Sequence, residues 1–444
     1  MKDFYGPISL LLATCDIFLL AGAEPGSFLL AEPSRVEREN VTGLVAVHRR
    51  PPRPCEVSPH HHCSRYPDPW LSCGSPRGEE ETRALADSLA EFGLKAFSTV
   101  AKFNPGANVL LSPISLAAAL THLLLGARNE SKRDLEDALF YRNLSCVHET
   151  FKHLLNGTES MLSASQLFYK EGLCLEKSFL QRSERFYGNQ PLPLSGDSSA
   201  NARTVNDWVA ANTEGRITSL VKEVPEETIL MLLNAVFFKG AWKTRFDKKE
   251  TKMGNFWVTP RKKVRVQMMQ NSIYPLAAMF HEGLNVKVGK FQMFGKNSLV
   301  VILPQDSERS LSEVERALTF DQLRDIMNTL KQGNYKATSV VLPKFKMNFT
   351  QDLLLPFSDM GLQDVLLQPN LCGMTFARRV EISAATHRAV LTVDEEGVEA
   401  AAVTSISVAR HVLVFEVLRP FLLLLWNEAL GYPLFMGRVL DPSQ

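Results

Sequence analysis

Two spacings of hydrophobic residues run through this chain, and they predict different elements. Between Thr82 and Phe97 the apolar side chains recur every three or four residues, which is the period of a helix with one buried face. From Thr228 to Phe246 the run is almost continuously apolar, which favours a strand covered on both faces at the centre of a large sheet. The mixture predicts one α+β domain.

Shorter stretches complete the predicted elements. Ser112 and Pro113 suit the cap and the first turn of a buried helix from Ile114 to Leu125. Further helices are predicted at Cys146 to Leu155 and in the stretch Asn201 to Ile217, where the helix ends near Gly215. The remaining predicted strands are Asn108 to Leu111, Ala164 to Tyr169, Val264 to Met269, Leu299 to Leu303, Ser339 to Phe345, Ala389 to Val393 and Tyr432 to Val439.

The stretch from Glu395 to Val417 combines features of a strand and of a loop. Alternate residues from Val398 to Val408 are almost all apolar, and no proline prevents pairing on either edge. Alanine, however, is depleted in permanent sheets and favours helices. We interpret the stretch as a segment that enters a sheet only at a later stage, and an exposed alanine-rich helix or linker is the alternative. Arg410 stands directly before an apolar run that begins at His411.

Over residues 85–442 the chain resembles the serpin family. The resemblance is carried by the Glu395 stretch, by the Asn206, Trp208 and Thr213 pattern, and by the ending from Arg419-Pro420-Phe421 to Val439. It implies a large mixed β-sheet with flanking helices and an exposed reactive-site loop. A protease would cleave the bond between Arg410 and His411, and the freed segment would insert into the sheet. The implied hinge consists of Glu395, Glu396, Gly397, Val398, Glu399, Ala400, Ala401 and Ala402.

Four polar residues lie within otherwise apolar segments: Ser112, Ser115, Asn234 and His387. A buried polar group without a partner costs about 1–3 kcal/mol, so these residues need one another or water. The resemblance implies that they form a hydrogen-bonded cluster, called the shutter here, beneath the point where the main sheet opens.

The N-terminal region differs in composition from the rest. Residues 1–23 carry Lys2, a short apolar run and a small-residue ending, which predict a signal peptide and not a membrane span. Residues 24–78 are rich in Pro, Arg and His, which predicts a flexible extension tied down only by its cysteines, before a serpin domain at 79–444. We therefore expect a secreted, extracellular (plasma) monomer. Glycosylation sequons agree with secretion and lie at Asn40, Asn129, Asn143, Asn156 and Asn348.

Six cysteines follow the predicted signal peptide, and sequence alone does not choose among their pairings. The resemblance implies the disulfides Cys63 with Cys372 and Cys73 with Cys146, and it leaves the state of Cys55 and Cys174 open. The run His60-His61-His62-Cys63 suggests metal ligands, but its spacing matches no closed tetrahedral motif. We predict no metal.

A catalytic function is the alternative that a few short motifs suggest. Gly196-Asp197-Ser198 is similar to the nucleophile loop of one class of serine proteases, and His122, His148 and His387 are candidate bases. No glycine follows Ser198, and no G-x-S-x-G elbow is present. We interpret the segment as a loop that caps the next helix, and we predict no enzymatic activity.

The formal net charge of +1 gives no general reason to expect a nucleic-acid partner. Two local basic groups are candidate sites for a heparin-like polyanion (a glycosaminoglycan), although a solvated face is the simpler interpretation of both. One group comprises Arg261, Lys262, Lys263 and Arg265, and the other Arg128, Lys132 and Arg133.

Within the serpin family, SISVAR followed by LVFEV is most similar to an inhibitor of complement and contact-system proteases. This similarity implies trypsin-like targets: complement C1 proteases, lectin-pathway proteases, plasma kallikrein and coagulation factor XII. The alternative is a non-inhibitory serpin that acts as a carrier or chaperone. The absence of proline and bulky residues between Val398 and Thr404 favours inhibition.

Overall fold

The computed structural model of the chain describes residues 62–71, 73, 78–141, 144–155, 161–305, 311–397 and 413–444. Two predicted segments lie outside these ranges: the signal peptide and most of the extension, which includes Asn40 and Cys55. Also outside are Asn143, Asn156 and residues 398–412, which include Arg410 and His411. Within the described part, no helix combines the length and the apolar composition that crossing a membrane requires.

Helices and strands alternate irregularly in chain order, as an α+β fold requires. The helices are α1 (Gly78–Phe103), α2 (Pro113–Gly126), α3 (Asn129–Ala138), α4 (Val147–Leu155), α5 (Lys177–Tyr187), α6 (Ser198–Asn212), α7 (Leu311–Ala317), α8 (Phe320–Gln332), α9 (Leu354–Phe357) and α10 (Gln363–Leu367). The strands are β1 (Val109–Leu111), β2 (Met161–Lys170), β3 (Leu192–Leu194), β4 (Leu230–Lys239), β5 (Lys252–Thr259), β6 (Lys262–His281), β7 (Val286–Gln292), β8 (Asn297–Pro304), β9 (Lys336–Pro343), β10 (Phe345–Asp352), β11 (Ile382–Val393), β12 (Leu413–Glu416), β13 (Phe421–Asn427) and β14 (Tyr432–Val439).

The described strands form two sheets. One has five strands in the order β10-β11-β4-β2-β3. The other has nine strands, eight in the order β1-β14-β13-β8-β7-β6-β9-β12, with β5 paired to β6. Strand β12, at the C-terminal end of the Glu395 stretch, is therefore held in a different sheet from β11, which precedes that stretch.

Strand β4 is apolar on both faces because two hydrophobic cores cover it. Leu232 and Val236 lie in the main core, to which the wholly buried α2 also contributes. Leu233 and Ala235 lie in a second core with Val205 of α6. The predicted central position of this run in a sheet is confirmed, although the strand itself is shorter than the run.

Two predicted elements differ from the structure, and a third agrees with it. The run from Ser339 to Phe345 is not one strand, because the chain passes from β9 in one sheet to β10 in the other at Lys344. The helix predicted to end near Gly215 does so, since α6 ends at Asn212 and Gly215 has a left-handed φ of 71°. Ser112 precedes α2, but its side chain makes no capping hydrogen bond.

Residues 62–71 and 73 are held by other contacts as well as by disulfides, which corrects the prediction for this part of the extension. The indole of Trp70 is buried, and its Nε1 donates to the carbonyl oxygen of Leu125 over 3.2 Å. Asp68 forms ion pairs with Arg182 and with Arg128. The segment therefore docks on the end of α2 through apolar, polar and ionic contacts.

Both disulfides that the resemblance implied are present: Cys63 bonds Cys372, and Cys73 bonds Cys146. His62 lies beside the first pair. A metal at this cluster would need the two sulfur atoms that the disulfide already uses. Cys174 is also disulfide-bonded, and its partner is outside the described residues.

Replacing Cys63 and Cys372 together with serine should lower the stability by about 2–4 kcal/mol, since the bond closes a loop with a sequence separation of 309 residues. Thermal unfolding followed by circular dichroism measures the loss. The Cys73→Ser, Cys146→Ser variant serves as comparison, because its loop has a separation of only 73 residues and its loss should be smaller. Equal unfolding temperatures for the parent and the first variant would contradict the expectation.

Candidate functional site

The site is the seam between β4 and β11 in the five-stranded sheet. These two strands run parallel and pair directly from Ile382 opposite Leu230 to Thr392 opposite Lys239. Their outer neighbours, β2 and β10, are both antiparallel to them. The seam is thus a parallel ladder between two antiparallel ones, and parallel pairing is slightly less stable per residue.

The structure brings the four shutter residues together across this seam. His387 of β11 lies directly opposite Asn234 of β4, and its Nδ1 is 2.7 Å from the Oδ1 of Asn234. The backbone N–H of Ser112 donates to the His387 Nε2 over 3.3 Å. The Asn234 Nδ2 donates to the carbonyl oxygen of Ser115 over 3.0 Å. The start of α2 therefore holds both strands, in part through main-chain atoms.

These contacts assign the protonation state of His387. Since Nε2 accepts from the Ser112 N–H, the ring hydrogen of a neutral imidazole lies on Nδ1 and is donated to Asn234. The ring is fully buried, and burial lowers the pKa of His387 to about 3. A second ring proton would lie on Nε2 and face the Ser112 N–H, which is itself a donor. The closed seam therefore requires the neutral ring.

At the C-terminal ends of β4 and β11, the first residues of the hinge are clamped to the end of β4. The Trp242 backbone N–H donates to the carbonyl oxygen of Glu396 over 3.0 Å, and the Trp242 indole donates to that of Asp394 over 2.6 Å. Lys239, the last residue of β4, forms ion pairs with Glu396 at 2.7 Å and with Asp394 at 3.6 Å. Hydrogen bonding to Lys239 lowers the pKa of Glu396.

The side chain of Glu395 anchors the hinge to Lys344 and Thr251. Its side chain is buried, with one oxygen 2.8 Å from the Lys344 Nζ and the other accepting from the Thr251 hydroxyl over 2.9 Å. Burial by itself raises the pKa of Glu395, but the hydrogen bonds from Lys344 and Thr251 outweigh this, so the pKa lies below its ordinary value. The carboxylate is therefore ionised at neutral pH and bound on both oxygens.

Gly397 lies where the chain leaves the clamp, and no side chain fits there. A Cβ at this position would lie 2.7 Å from the carbonyl oxygen of Trp242 and 2.8 Å from the Cβ of Arg245. Gly397 also forms an isolated parallel bridge with Trp242. The next residues, Val398 to Ala402 of the implied hinge, lie outside the described part of the chain. Beyond residue 412 the chain enters β12, which pairs parallel with β9.

The clamp partners Trp242, Lys239, Lys344 and Thr251 were missed by sequence reasoning. Trp242 comes directly after Gly240-Ala241, which marks the end of the apolar run but indicates no partner. Ser163 was also missed, and its hydroxyl lies 2.7 Å from that of Ser115. Nothing in the local sequence distinguishes these residues from other residues at strand ends.

The residues of the alternative hydrolase hypothesis make separate local contacts. Ser198 begins α6, and the side chain of Asp197 accepts from the Ala200 N–H, which is the predicted capping loop. His122 hydrogen-bonds Ser183, His148 hydrogen-bonds Tyr187, and the two ring nitrogens of His387 are occupied as described above.

The basic group around Arg128 is not the exposed patch that the sequence suggested. Arg128 is buried and donates to the carbonyl oxygens of Leu125 and Ala127. Lys132 pairs with Glu136 at 2.6 Å, and Arg133 lies 3.8 Å from Glu130. These ion pairs neutralise most of the positive charge of the group.

Two of the predicted glycosylation sequons are described. Asn129 begins α3 and is exposed. Asn348 lies within β10 opposite Val390, and its Oδ1 accepts from the Arg388 Nε over 3.0 Å. Glycosylation at both positions stays a prediction.

Three buried histidines should make the fold labile to acid. Burial lowers the pKa of His122 and His387 to about 3, and that of His148 well below 6.5. Between these values and about 6.5 the unfolded chain binds protons that the folded protein does not bind. The free energy of unfolding should therefore fall as the pH is lowered below about 6.5, by about 1.4 kcal/mol per unit for each ring. Urea unfolding between pH 7.5 and 5 measures the slope, and a flat profile would contradict the assignment of three neutral rings.

Asn234→Ala should weaken the seam, since it removes one hydrogen bond across it and leaves the His387 Nδ1–H and the Ser115 carbonyl without their partner. The loss of about 1–3 kcal/mol should accelerate opening of the seam roughly tenfold or more. Hydrogen–deuterium exchange of β4 and β11 measures the opening rate. The matched control is Asn348→Ala, which changes an exposed asparagine on β10. Equal exchange in both variants would show that the shutter does not hold the seam.

Comparison with known proteins agrees with this geometry. Residues 87–442 match the profile of a family described as Serpin (serine protease inhibitor). The chain is 38% identical to plasma protease C1 inhibitor of Homo sapiens, over 85% of this chain and 75% of that protein. It is 36% identical to factor XIIa inhibitor of Bos taurus, over 84% and 79% of the two chains.

Solved structures show the same fold. The structure of mouse protein-Z dependent protease inhibitor matches 82% of this chain and all of its own, with a TM-score of 0.75 and 24% sequence identity. A structure of maspin matches the same share of this chain with a TM-score of 0.77 and 22% identity. The chain belongs to the serpin family of serine protease inhibitors, and its similarity to plasma protease C1 inhibitor extends over most of its length.

Proposed function

We propose that this protein is a secreted suicide inhibitor of Arg-specific serine proteases and is itself not an enzyme. The protease attacks the bond between Arg410 and His411 and forms an acyl-enzyme. The segment that begins at Val398 then inserts between β4 and β11 and drags the attached protease away from its first position before the acyl bond is hydrolysed. Release of stored strain by loop insertion is an established type of conformational switch.

The observation that carries the proposal is the direct parallel pairing of β4 with β11, directly below the clamped Gly397. A segment that folds back from the end of β11 as a hairpin must run antiparallel to β11. Because β4 is parallel to β11, the same segment is also antiparallel to β4. Insertion thus replaces one parallel ladder with two antiparallel ones, and antiparallel pairing is the more stable kind.

The gain is large enough to do mechanical work. The seam extends from Ile382 to Thr392. About ten inserted residues at roughly 1 kcal/mol net for each additional backbone hydrogen bond contribute on the order of 10 kcal/mol. This is comparable with the whole folding stability of a typical protein domain, about 5–15 kcal/mol, and is sufficient to distort a bound protease.

Arg410 sets the specificity in this proposal. It is the only Lys or Arg between Glu395 and Val417, and a trypsin-like protease binds such a side chain in an acidic pocket. The names of two relatives point to C1 and to factor XIIa. We extend the proposed targets to the complement C1 proteases, the lectin-pathway proteases, plasma kallikrein and coagulation factor XII.

Mixing the protein with a trypsin-like protease should give a covalent complex that survives denaturing electrophoresis, and Arg410→Ala should lower its rate of formation by at least 100-fold. The control is Arg379→Ala, which removes an exposed arginine outside the segment. Cleavage of the parent without any complex would instead favour the carrier or chaperone alternative. A cleaved form that melts no higher than the intact protein would exclude insertion itself.

A further inference from the structure

A second buried cluster lies away from the seam, where the docked segment at residues 62–71 contacts α2, α4 and α5. Its centre is His148 of α4, which is only 3% exposed. The Trp70 ring packs against the His148 imidazole in a T-shaped arrangement, with 4.4 Å between the two ring centres. His148 therefore forms part of the surface that holds the segment.

The His148 ring has a hydrogen-bond partner on only one nitrogen. Its Nδ1 lies 2.7 Å from the Tyr187 hydroxyl oxygen. Among the described residues, its buried Nε2 has no hydrogen-bond partner. A charged imidazole carries hydrogen on both nitrogens, so its Nε2–H would lack an acceptor in this site. Burying such a donor is costly, and burying a charge with it is costlier still. Docking of the segment thus requires the neutral ring.

The charges around His148 add to this cost. Ionisable side chains surround the ring and its Trp70 neighbour: His122 of α2, Arg128 before α3, Lys132 of α3, Arg182 and Tyr187 of α5, and Asp68 of the docked segment. On α4 itself, Glu149 is already paired with Arg185. Burial lowers the pKa of His148 well below 6.5, and repulsion from His122 and from the three cationic side chains lowers it further.

The docked segment is held by groups that a charged His148 would disturb. Asp68, the acidic side chain of this segment, pairs with Arg182 and lies 3.7 Å from Arg128. The Lys132 ammonium lies 5.2 Å from the centre of the Trp70 ring. A further positive charge would repel these three cations and would be attracted by one carboxylate. Protonation of the ring therefore acts directly against the contacts of the segment.

The segment stays attached to the domain even when it leaves this cluster. Cys63 is bonded to Cys372, and Cys73 is bonded to Cys146. Release of residues 64–71 thus frees a short loop whose two ends are fixed, so its return is intramolecular and the change is reversible.

We propose that the docked segment is an acid-operated latch, in which protonation of His148 releases residues 64–71 from α2, α4 and α5 while the two disulfides keep them attached. After release the ring reaches water and takes up a proton at its ordinary pKa of about 6.5. Each unit of pH below this value lowers the ratio of docked to released segment by up to tenfold. Between pH 7.5 and pH 5.0 the ratio should fall about 30-fold. The latch does not depend on the inhibitory function proposed above.

Fluorine NMR of the full chain labelled with 5-fluorotryptophan tests the release. The chain has five tryptophans, and Trp70→Phe identifies the Trp70 signal. Between pH 7.5 and pH 5.0 this signal should move toward the position of a solvent-exposed indole. The signals of Trp208, Trp242 and Trp426 should stay in place, which separates release of the latch from unfolding. A Trp70 signal that keeps its buried position until the other signals also change overturns the proposal.

His148→Asn tests the assignment to this ring, because the asparagine amide keeps a polar group on this side of Tyr187 and does not titrate between pH 7.5 and pH 5.0. In this variant the ratio of docked to released segment should change less than threefold over the same range. The matched control is His153→Asn, which replaces an exposed histidine on the same helix and should keep the profile of the parent. Equal profiles for His148→Asn and the parent overturn the proposal.

A second measurement decides the question if His148→Asn does not fold. In the parent labelled with ¹³C at the histidine Cε1, the His148 signal should show proton uptake with the same midpoint pH as the Trp70 change. Asp68→Asn should move both midpoints to higher pH, since it removes the carboxylate that binds Arg128 and Arg182. Different midpoints for His148 and Trp70 in the parent, or unchanged midpoints in Asp68→Asn, overturn the latch.

Discussion

The hydrogen bond between His387 and Asn234 is the interaction on which the rest of the structure depends. It joins the side chains of two strands that are paired directly, although the residues are 153 positions apart in sequence. Its partners on α2 are the backbone N–H of Ser112 and the backbone carbonyl of Ser115, so helix and sheet are held by the same cluster. In a buried site such a network is strong while every member is satisfied, and costly once one member is lost. A fully formed network therefore keeps the seam closed.

The hinge adds a second constraint at the end of the same seam. Lys239 and Trp242 attach the residues just before Val398 to the end of β4, and Lys344 and Thr251 bind Glu395. At Gly397 the chain passes so close to Trp242 and Arg245 that only a residue without a side chain fits. The clamp and the shutter thus hold one seam at its end and at its middle. Opening of the seam requires both the clamp and the shutter to yield.

The docked segment at residues 62–73 shows how a stretch that cannot fold alone becomes ordered. Two disulfides bring it to the body of the domain, and Trp70 then buries its indole while Asp68 meets Arg128 and Arg182. Arg128 also explains why a basic cluster in sequence is not a basic surface. A long cationic side chain near the end of a helix binds the last carbonyl groups there when it is buried.

The sequence by itself determined the class of fold and the chemical character of the site. The doubly apolar run of β4, the polar residues within apolar segments, the glycine before a proline-free alanine stretch and the single arginine are all local patterns. Only the tertiary structure decided that His387 faces Asn234 and that Trp242 and Lys344 hold the hinge. The physical reason is that strand register, and contacts between residues far apart in the chain, result from packing the whole domain at once. A local pattern states which face of an element is buried, but it does not state which element covers that face.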